Sequence, residues 1–187
     1  VRIWVSSLAK VHEMVAAAQP ARVVSLLSPE DSFPVLGGYD DGRHHRIGVH
    51  DIREPMDGLV APDGDHVRAL IGFLEGWRPE APLLVHCWAG VSRSTATAFI
   101  AACLHNPDTD EHEIAMTLRA ASPTAWPNAR IVAFADELLA RKGRMIEAVE
   151  AIGPGAPALE AEPFAIPARF GARPVSPADE EQQGRGR

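Results

Sequence analysis

Only two cysteines, Cys87 and Cys103, occur in the 187 residues. Two thiols make no disulfide framework, so the chain is expected to rely on a packed core in a reducing, cytoplasmic compartment. An excess of positive charge is also missing. Lys and Arg number 18 against 25 Asp and Glu, giving a net charge of −7 and a pI near 5.6. Such a chain lacks the broad positive field that nucleic acid or an anionic membrane surface would select, and neither is expected as a partner. No apolar run reaches the roughly 18 residues that suggest a membrane span. The N-terminal run Val1–Ser6 is too short for a signal peptide. Any recognition of anions must therefore be local.

What is present is an alternation of strand-like and helix-like segments, of a length suited to one domain. Arg2–Ser6 reads as a first strand and Leu8–Ala18 as a helix with Val11, Met14 and Val15 on one stripe. Pro20 ends that helix, and Arg22–Leu27 is a run typical of a buried strand. Ser28–Gly42 is loop, and His45–Asp51 is a third strand. Asp65 is placed to cap a helix striped by Val67, Leu70, Ile71, Leu74 and Trp77. Leu83–His86 is a fourth strand and Arg93–Leu104 an apolar helix. Asp108 and Glu111 suggest a capping box for a helix over Glu111–Ala121. A helix starting at Pro127–Asn128 is expected to run on past Gly143 to Ile152. Strands alternating with helices indicate an α/β layered fold. After Gly153 the composition turns to Pro, Gly, Ala and charge. The domain is therefore expected to span 1–152, with 153–187 a flexible tail, subject to Phe164, Ile166 and Phe170 stapling it to the core.

The chemistry concentrates in Leu84-Val85-His86-Cys87-Trp88-Ala89-Gly90-Val91-Ser92-Arg93-Ser94-Thr95. An apolar run delivers a cysteine, a loop follows, and an arginine stands six positions after the sulfur. Backbone N–H groups of such a loop can curl around a phosphate, and the next helix adds positive potential. Arg93 offers a rigid fork of N–H donors that lysine cannot supply. The same field favours a thiolate at Cys87, the reactive form of the side chain. If Ser92–His105 is helical, Cys103 lies too far along the axis for a disulfide with Cys87.

These residues resemble the signature of the protein tyrosine phosphatase superfamily, His-Cys-x5-Arg-Ser/Thr, met here by His86, Cys87, Arg93 and Ser94. The compact length, together with Ala121-Ser122-Pro123-Thr124-Ala125-Trp126-Pro127-Asn128, resembles its dual-specificity-type branch. The resemblance spans roughly Val1–Ala151. It implies a mainly parallel central sheet flanked by helices, with the phosphate loop at the C-terminal end of a strand. It also implies a metal- and cofactor-independent phosphatase acting on phosphorylated protein, phosphotyrosine above all, through a cysteinyl-phosphate intermediate. Cys87 would be the nucleophile, and Trp88, Ala89, Gly90, Val91, Ser92 and Arg93 the phosphate-binding loop. Ser94 would hydrogen-bond the sulfur as it leaves. His86 would hold the loop through backbone near Cys87, and Asn128 would buttress the loop or cap its helix.

The family places an acidic residue on a loop upstream of the cysteine. Asp51, directly after the strand run Arg46–His50, is preferred by position, which constrains geometry more than loop length does. Asp57 fits by spacing, while Asp63 and Asp65 suit turn and cap chemistry beside Gly58 and Gly64. His44, His45, His66, His105 and His112 follow no ligand pattern and are expected to be solvated. The loop carries no lysine and no second arginine, which disfavours phosphoinositide or RNA 5′-phosphate substrates. Two other readings remain open. One is a sulfur-transfer or arsenate-reducing enzyme, which needs no upstream acid. The other is a phosphopeptide-binding pseudophosphatase.

Overall fold

A computed structural model describes residues 1–171. Five strands form one sheet: β1 (Arg2–Ser7), β2 (Arg22–Leu27), β3 (His44–Gly48), β4 (Leu83–Cys87) and β5 (Phe164–Pro167). Their spatial order is β3-β2-β4-β1-β5; β1 to β4 run parallel, and β5 lies antiparallel on β1. Six helices flank the sheet: α1 (Val11–Ala18), α2 (Gly64–Glu75), α3 (Arg93–His105), α4 (Glu111–Ala121), α5 (Ala129–Leu138) and α6 (Arg144–Ile152). No helix of the described residues is long and apolar enough to cross a membrane.

The period-2 alternation of the strands divides the core in two. Ile3 and Val5, Val24 and Leu26, and Leu83, Val85 and Cys87 face the layer built by α2 to α6. Trp4, Val23 and Leu84 face α1, with Val11, Met14 and Leu36. His86 and Cys87 are neighbours in sequence and therefore project from opposite faces of β4. The nucleophile candidate looks toward the helical layer, and the histidine toward the α1 side.

Several local expectations need correction. Asp63, rather than Asp65, caps α2: its carboxylate accepts from the N–H groups of Asp65 and His66 at 3.0 Å each. Asp65 instead pairs with Arg68 one turn on. The cap of α4 is Asp110, which frees Glu111 to be buried against Arg141 and Arg144 at 3.1 Å. The long helix predicted to Ile152 is broken into α5 and α6. Ala140, Lys142 and Gly143 all take left-handed backbone, and Asp136 recaps the chain by accepting from the Gly143 and Met145 N–H groups. The third strand ends at Gly48, so Asp51 lies on the loop beyond it.

The segment expected as a tail departs most from the sequence reading. Residues 153–170 lie on the domain, and β5 extends the sheet at the edge of β1. Phe164, Ile166 and Ala168 are buried, which is the stapling role that Phe164 and Ile166 were singled out for. Asn106 holds the end of the segment, donating to the Ala168 carbonyl and accepting from the Phe170 N–H. Arg119 holds its start, donating to the carbonyls of Ile152, Gly153 and Ala125 at 2.8–2.9 Å. Gly155 passes so close to the α4–α5 connection that a Cβ there would meet the Ala125 carbonyl oxygen at 2.9 Å. Propensity did not foretell this strand, because its order comes from tertiary contacts. The part of the expected tail after Gly171 lies outside the described residues.

A polar chain crosses the sheet beneath the C-terminal end of β4. His86 Nε2 lies 2.5 Å and His44 Nε2 2.7 Å from the same Ser25 hydroxyl oxygen. All three side chains are buried, which overturns the expectation that His44 is solvated. His45 and His105 are also partly covered, stacking on Phe73 and meeting Trp77 edge-on. Burial lowers His86 to about 3 and His44 to about 4, the neighbouring positive groups adding to the effect. Both are therefore neutral at pH 7. The one Ser25 proton can serve only one imidazole, so the other must present its own Nε2–H.

Two outcomes follow. Truncation after Ile152 removes the buried side chains of Phe164 and Ile166, worth about 1.5–3 kcal/mol each. The melting temperature should fall by about 10 °C or more, measured by circular dichroism; an unchanged value would return 153–170 to the status of a tail. Acid should also destabilise the fold early. The folded values of His44 and His86 lie below the unfolded value of 6.5. The unfolded chain thus takes up protons that the native state refuses as pH falls through 6.5. Their contribution is complete above that pH and shrinks below it, by on the order of 1–3 kcal/mol per pH unit. Denaturant titrations at pH 7, 6 and 5 should register this decline; a level stability across that window would contradict buried neutral histidines.

Candidate active site

β4 ends at Cys87 and α3 begins at Arg93, so Trp88–Ser92 must reverse the chain in five residues. Gly90 makes the turn possible. Its φ is +75°, and a Cβ there would sit 3.0 Å from the backbone of Ser6 and Ser7 at the end of β1. Four of the loop carbonyls are tied outward. That of Trp88 accepts from Leu8 N–H at 3.1 Å and that of Ala89 from Ala161 N–H at 2.9 Å. Those of Val91 and Ser92 accept from Trp126 and Asn128 N–H at 2.9 and 3.3 Å. The Thr95 hydroxyl donates to the same two carbonyls at 2.6 and 2.9 Å.

A trans peptide points its N–H opposite to its carbonyl. Tying these four carbonyls outward turns the N–H groups of Ala89, Gly90, Ser92 and Arg93 inward. None of the four is used on another backbone carbonyl among the described residues. The result is a concave set of donors at the start of α3, the geometry of an anion cradle.

Cys87 lies at the floor, 1% exposed, with its Sγ 3.1 Å from the Ser94 hydroxyl. Arg93 is 4% exposed and anchored by one nitrogen, Nη1 donating to the Val49 carbonyl at 2.7 Å. Its Nε is buried without a hydrogen-bond partner, 4.0 Å from Asp51 Oδ2. The anchoring bond fixes the guanidinium plane and leaves the Nε–H edge free for bidentate contact.

Asp51 is the upstream carboxylate that reaches this loop. Its Oδ1 accepts from the Ser92 hydroxyl at 2.6 Å and from Asn128 Nδ2 at 2.9 Å. Asn128 takes the capping role expected of it, and its side chain also reaches Asp51. Its carbonyl oxygen caps α5 through the N–H groups of Arg130 and Ile131, while its amide nitrogen holds Asp51 and the Ile52 carbonyl. Asp57 is exposed on the connecting loop, and Asp63 and Asp65 belong to the start of α2. Asp51 accepts no hydrogen bond from Arg93; its Oδ2 faces the Arg93 Nε at 4.0 Å, and the side chain is 37% exposed.

His86, expected to hold the loop through backbone near Cys87, is fully buried. Its located hydrogen bond runs to Ser25 on β2, and its Nδ1 lies toward the Cys87 backbone without reaching hydrogen-bond geometry. Ser25, the Val49 carbonyl and Ala161 were not singled out in the sequence, and His44 was expected to be solvated. Only Ser25 carried a signal, as a lone hydroxyl inside an apolar strand. Cys103 is buried in α3, where burial pushes its thiol up, and both thiols are free. Among the described residues no group of three or more His, Cys, Asp and Glu side chains converges.

No family model and no curated protein matches the chain. Solved structures do. DUSP15 is 22% identical with a TM-score of 0.53, covering 79% of this chain and 89% of its own. Human DUSP28 is 19% identical with a TM-score of 0.53, covering 80% and 94%. The human tyrosine phosphatase-like serine/threonine/tyrosine-interacting protein is 16% identical with a TM-score of 0.54, covering 73% and 87%. These likenesses are of fold: over about four fifths of its length the chain folds like DUSP15 and DUSP28.

Proposed function

We propose that the protein hydrolyses phosphate monoesters on protein, phosphotyrosine first and phosphoserine or phosphothreonine as further substrates, by way of a cysteinyl phosphate. The observation that carries this reading is the buried Cys87 Sγ, 3.1 Å from Ser94 Oγ, at the start of a loop whose carbonyls are tied to neighbouring segments.

In the first step Cys87, as the thiolate, attacks phosphorus, and the S–P bond forms as the P–O bond to the substrate breaks. The inward N–H groups and the free edge of Arg93 take up the charge on the equatorial oxygens. Asp51, protonated, gives its proton to the leaving oxygen. In the second step water attacks phosphorus on the opposite side from sulfur and passes a proton to Asp51. The S–P bond breaks, inorganic phosphate leaves, and the Ser94 hydroxyl stabilises the departing sulfur. Ser92 and Asn128 hold Asp51 at the loop mouth, where both proton transfers occur. Sulfur transfer and arsenate reduction find less support, because they leave this buttressed carboxylate without work. The absence of Lys and of a second Arg from the loop favours phosphoprotein over phosphoinositide or RNA.

Cys87→Ser should abolish turnover of a small aryl phosphate while phosphate-like anions still bind. Arg93→Lys should be nearly as severe, since a point charge does not reproduce a planar fork. Phosphate release by purified Cys87→Ser at the wild-type rate would refute the mechanism, and a wild-type protein that binds phosphopeptide without turnover would establish a pseudophosphatase.

Asp51→Asn should slow esters of poor leaving groups by about 10²–10⁴-fold and nitrophenyl-type esters much less. Asp57→Asn should change both little. Initial rates across leaving groups of graded acidity decide this, and the reverse ranking would transfer the acid role to Asp57.

A further inference from the structure

Beside the phosphate loop lies a cavity of about 240 Å³ lined by Leu8, Ala9, Trp88, Leu159 and Glu160. It has a built character. Trp88 is 58% and Leu159 98% exposed, so two large apolar side chains stand in solvent immediately next to the nucleophile loop. The backbone around them is pinned, Leu8 N–H to the Trp88 carbonyl and Ala161 N–H to the Ala89 carbonyl. Glu160 is aimed by the buried Ser7 hydroxyl, which donates to its Oε1 at 2.6 Å and leaves the second carboxylate oxygen free. An aromatic face, an aliphatic wall and one oriented carboxylate thus share a single cavity. The proposed reaction uses none of them.

We propose that this cavity is a specificity subsite for an arginine or lysine side chain one or two residues from the phosphoresidue of a protein substrate. This rests on the phosphoprotein reading above and deepens it. The chemistry is that of a long cationic side chain. Its methylene stem lies along Leu8, Ala9 and Leu159 while its charged head stays at the wet edge. The head meets the face of Trp88 and the free oxygen of Glu160. Trp88 follows Cys87 directly, and consecutive Cα atoms are about 3.8 Å apart, so a residue flanking the phosphate reaches this cavity without a detour. The wall exists because residues 153–161 run across the loop, which makes the C-terminal segment a part of substrate selection.

The test uses non-hydrolysable phosphonate analogues of one phosphotyrosine peptide, identical except for Arg, Leu, Ala or Glu at the flanking positions. Affinities for the wild-type protein are read by calorimetry, so the result does not depend on turnover. The Arg peptide should bind about fivefold tighter than the Ala peptide, and the advantage should shrink at high salt. Glu160→Gln should bring the two within about twofold, and Glu160→Lys should reverse the order for a peptide carrying Glu in place of Arg. Equal binding of the Arg and Ala peptides, or no binding of either, overturns the subsite. Tighter binding of the Leu peptide than of Arg also overturns it, making the cavity a plain apolar slot. An intact Arg preference in a protein unable to hydrolyse aryl phosphate would remove the catalytic reading and leave the subsite standing.

Discussion

The outward tethering of the phosphate-loop carbonyls is the constraint on which the rest depends. Inward N–H groups crowd partial positive charges at one point, and no regular ladder satisfies them. Fixing five loop residues costs about 1–2 kcal/mol each in backbone entropy. A hydrogen bond returns only about 0.5–1.5 kcal/mol net. Four backbone tethers and the Thr95 hydroxyl therefore offset only part of that cost. The remainder falls to the rigid elements on either side, the fully buried β4 and the almost fully buried first turns of α3.

The tethers come from segments far apart in the chain. Leu8 lies between β1 and α1, Trp126 and Asn128 between α4 and α5, and Ala161 ahead of β5. This distribution explains what the sequence disclosed and what it withheld. His86, Cys87, Gly90, Arg93 and Ser94 are contiguous, and their spacing alone carries the geometry of a strand, a tight loop and a helix start. Asp51 was legible as a carboxylate just past a strand, and for that reason was preferred to Asp57, which the residue count favoured. Ala161 was invisible, because a backbone N–H has no side-chain signature. His44 misled for a related reason. A histidine in no ligand pattern, beside Arg43 and His45, reads as surface, and only the pairing of β2 with β3 carries it to Ser25.

The helix boundaries that were misread share one cause. Three of the corrected starts turn on which of several nearby Asp residues or glycines governs the chain. Asp63 prevails over Asp65 because its side chain reaches two N–H groups of the first turn. Asp110 prevails over Asp108 because Glu111 is drawn into the core by two arginines that come from a later part of the chain. Asp136 stops and restarts the helix at Gly143 by supplying both of its oxygens to N–H groups of the next turn. In each case local propensity permits several answers, and a contact distant in sequence selects one.

The strand β5 joins two problems that look separate. Without it, β1 would be an edge strand of the sheet, with unpaired backbone groups open to any extended chain. An antiparallel partner from the C-terminal segment closes that edge. To arrive there from the end of α6, the chain must cross the loop end of the sheet. The crossing is what brings Ala161 to the Ala89 carbonyl and Glu160 to Ser7. A segment recruited to cover an edge is thereby forced past the phosphate loop, and its side chains are placed where a substrate approaches. Protection of the sheet edge and construction of the substrate wall thus follow from one chain path, so a change that loosens β5 acts on the fold and on the loop together.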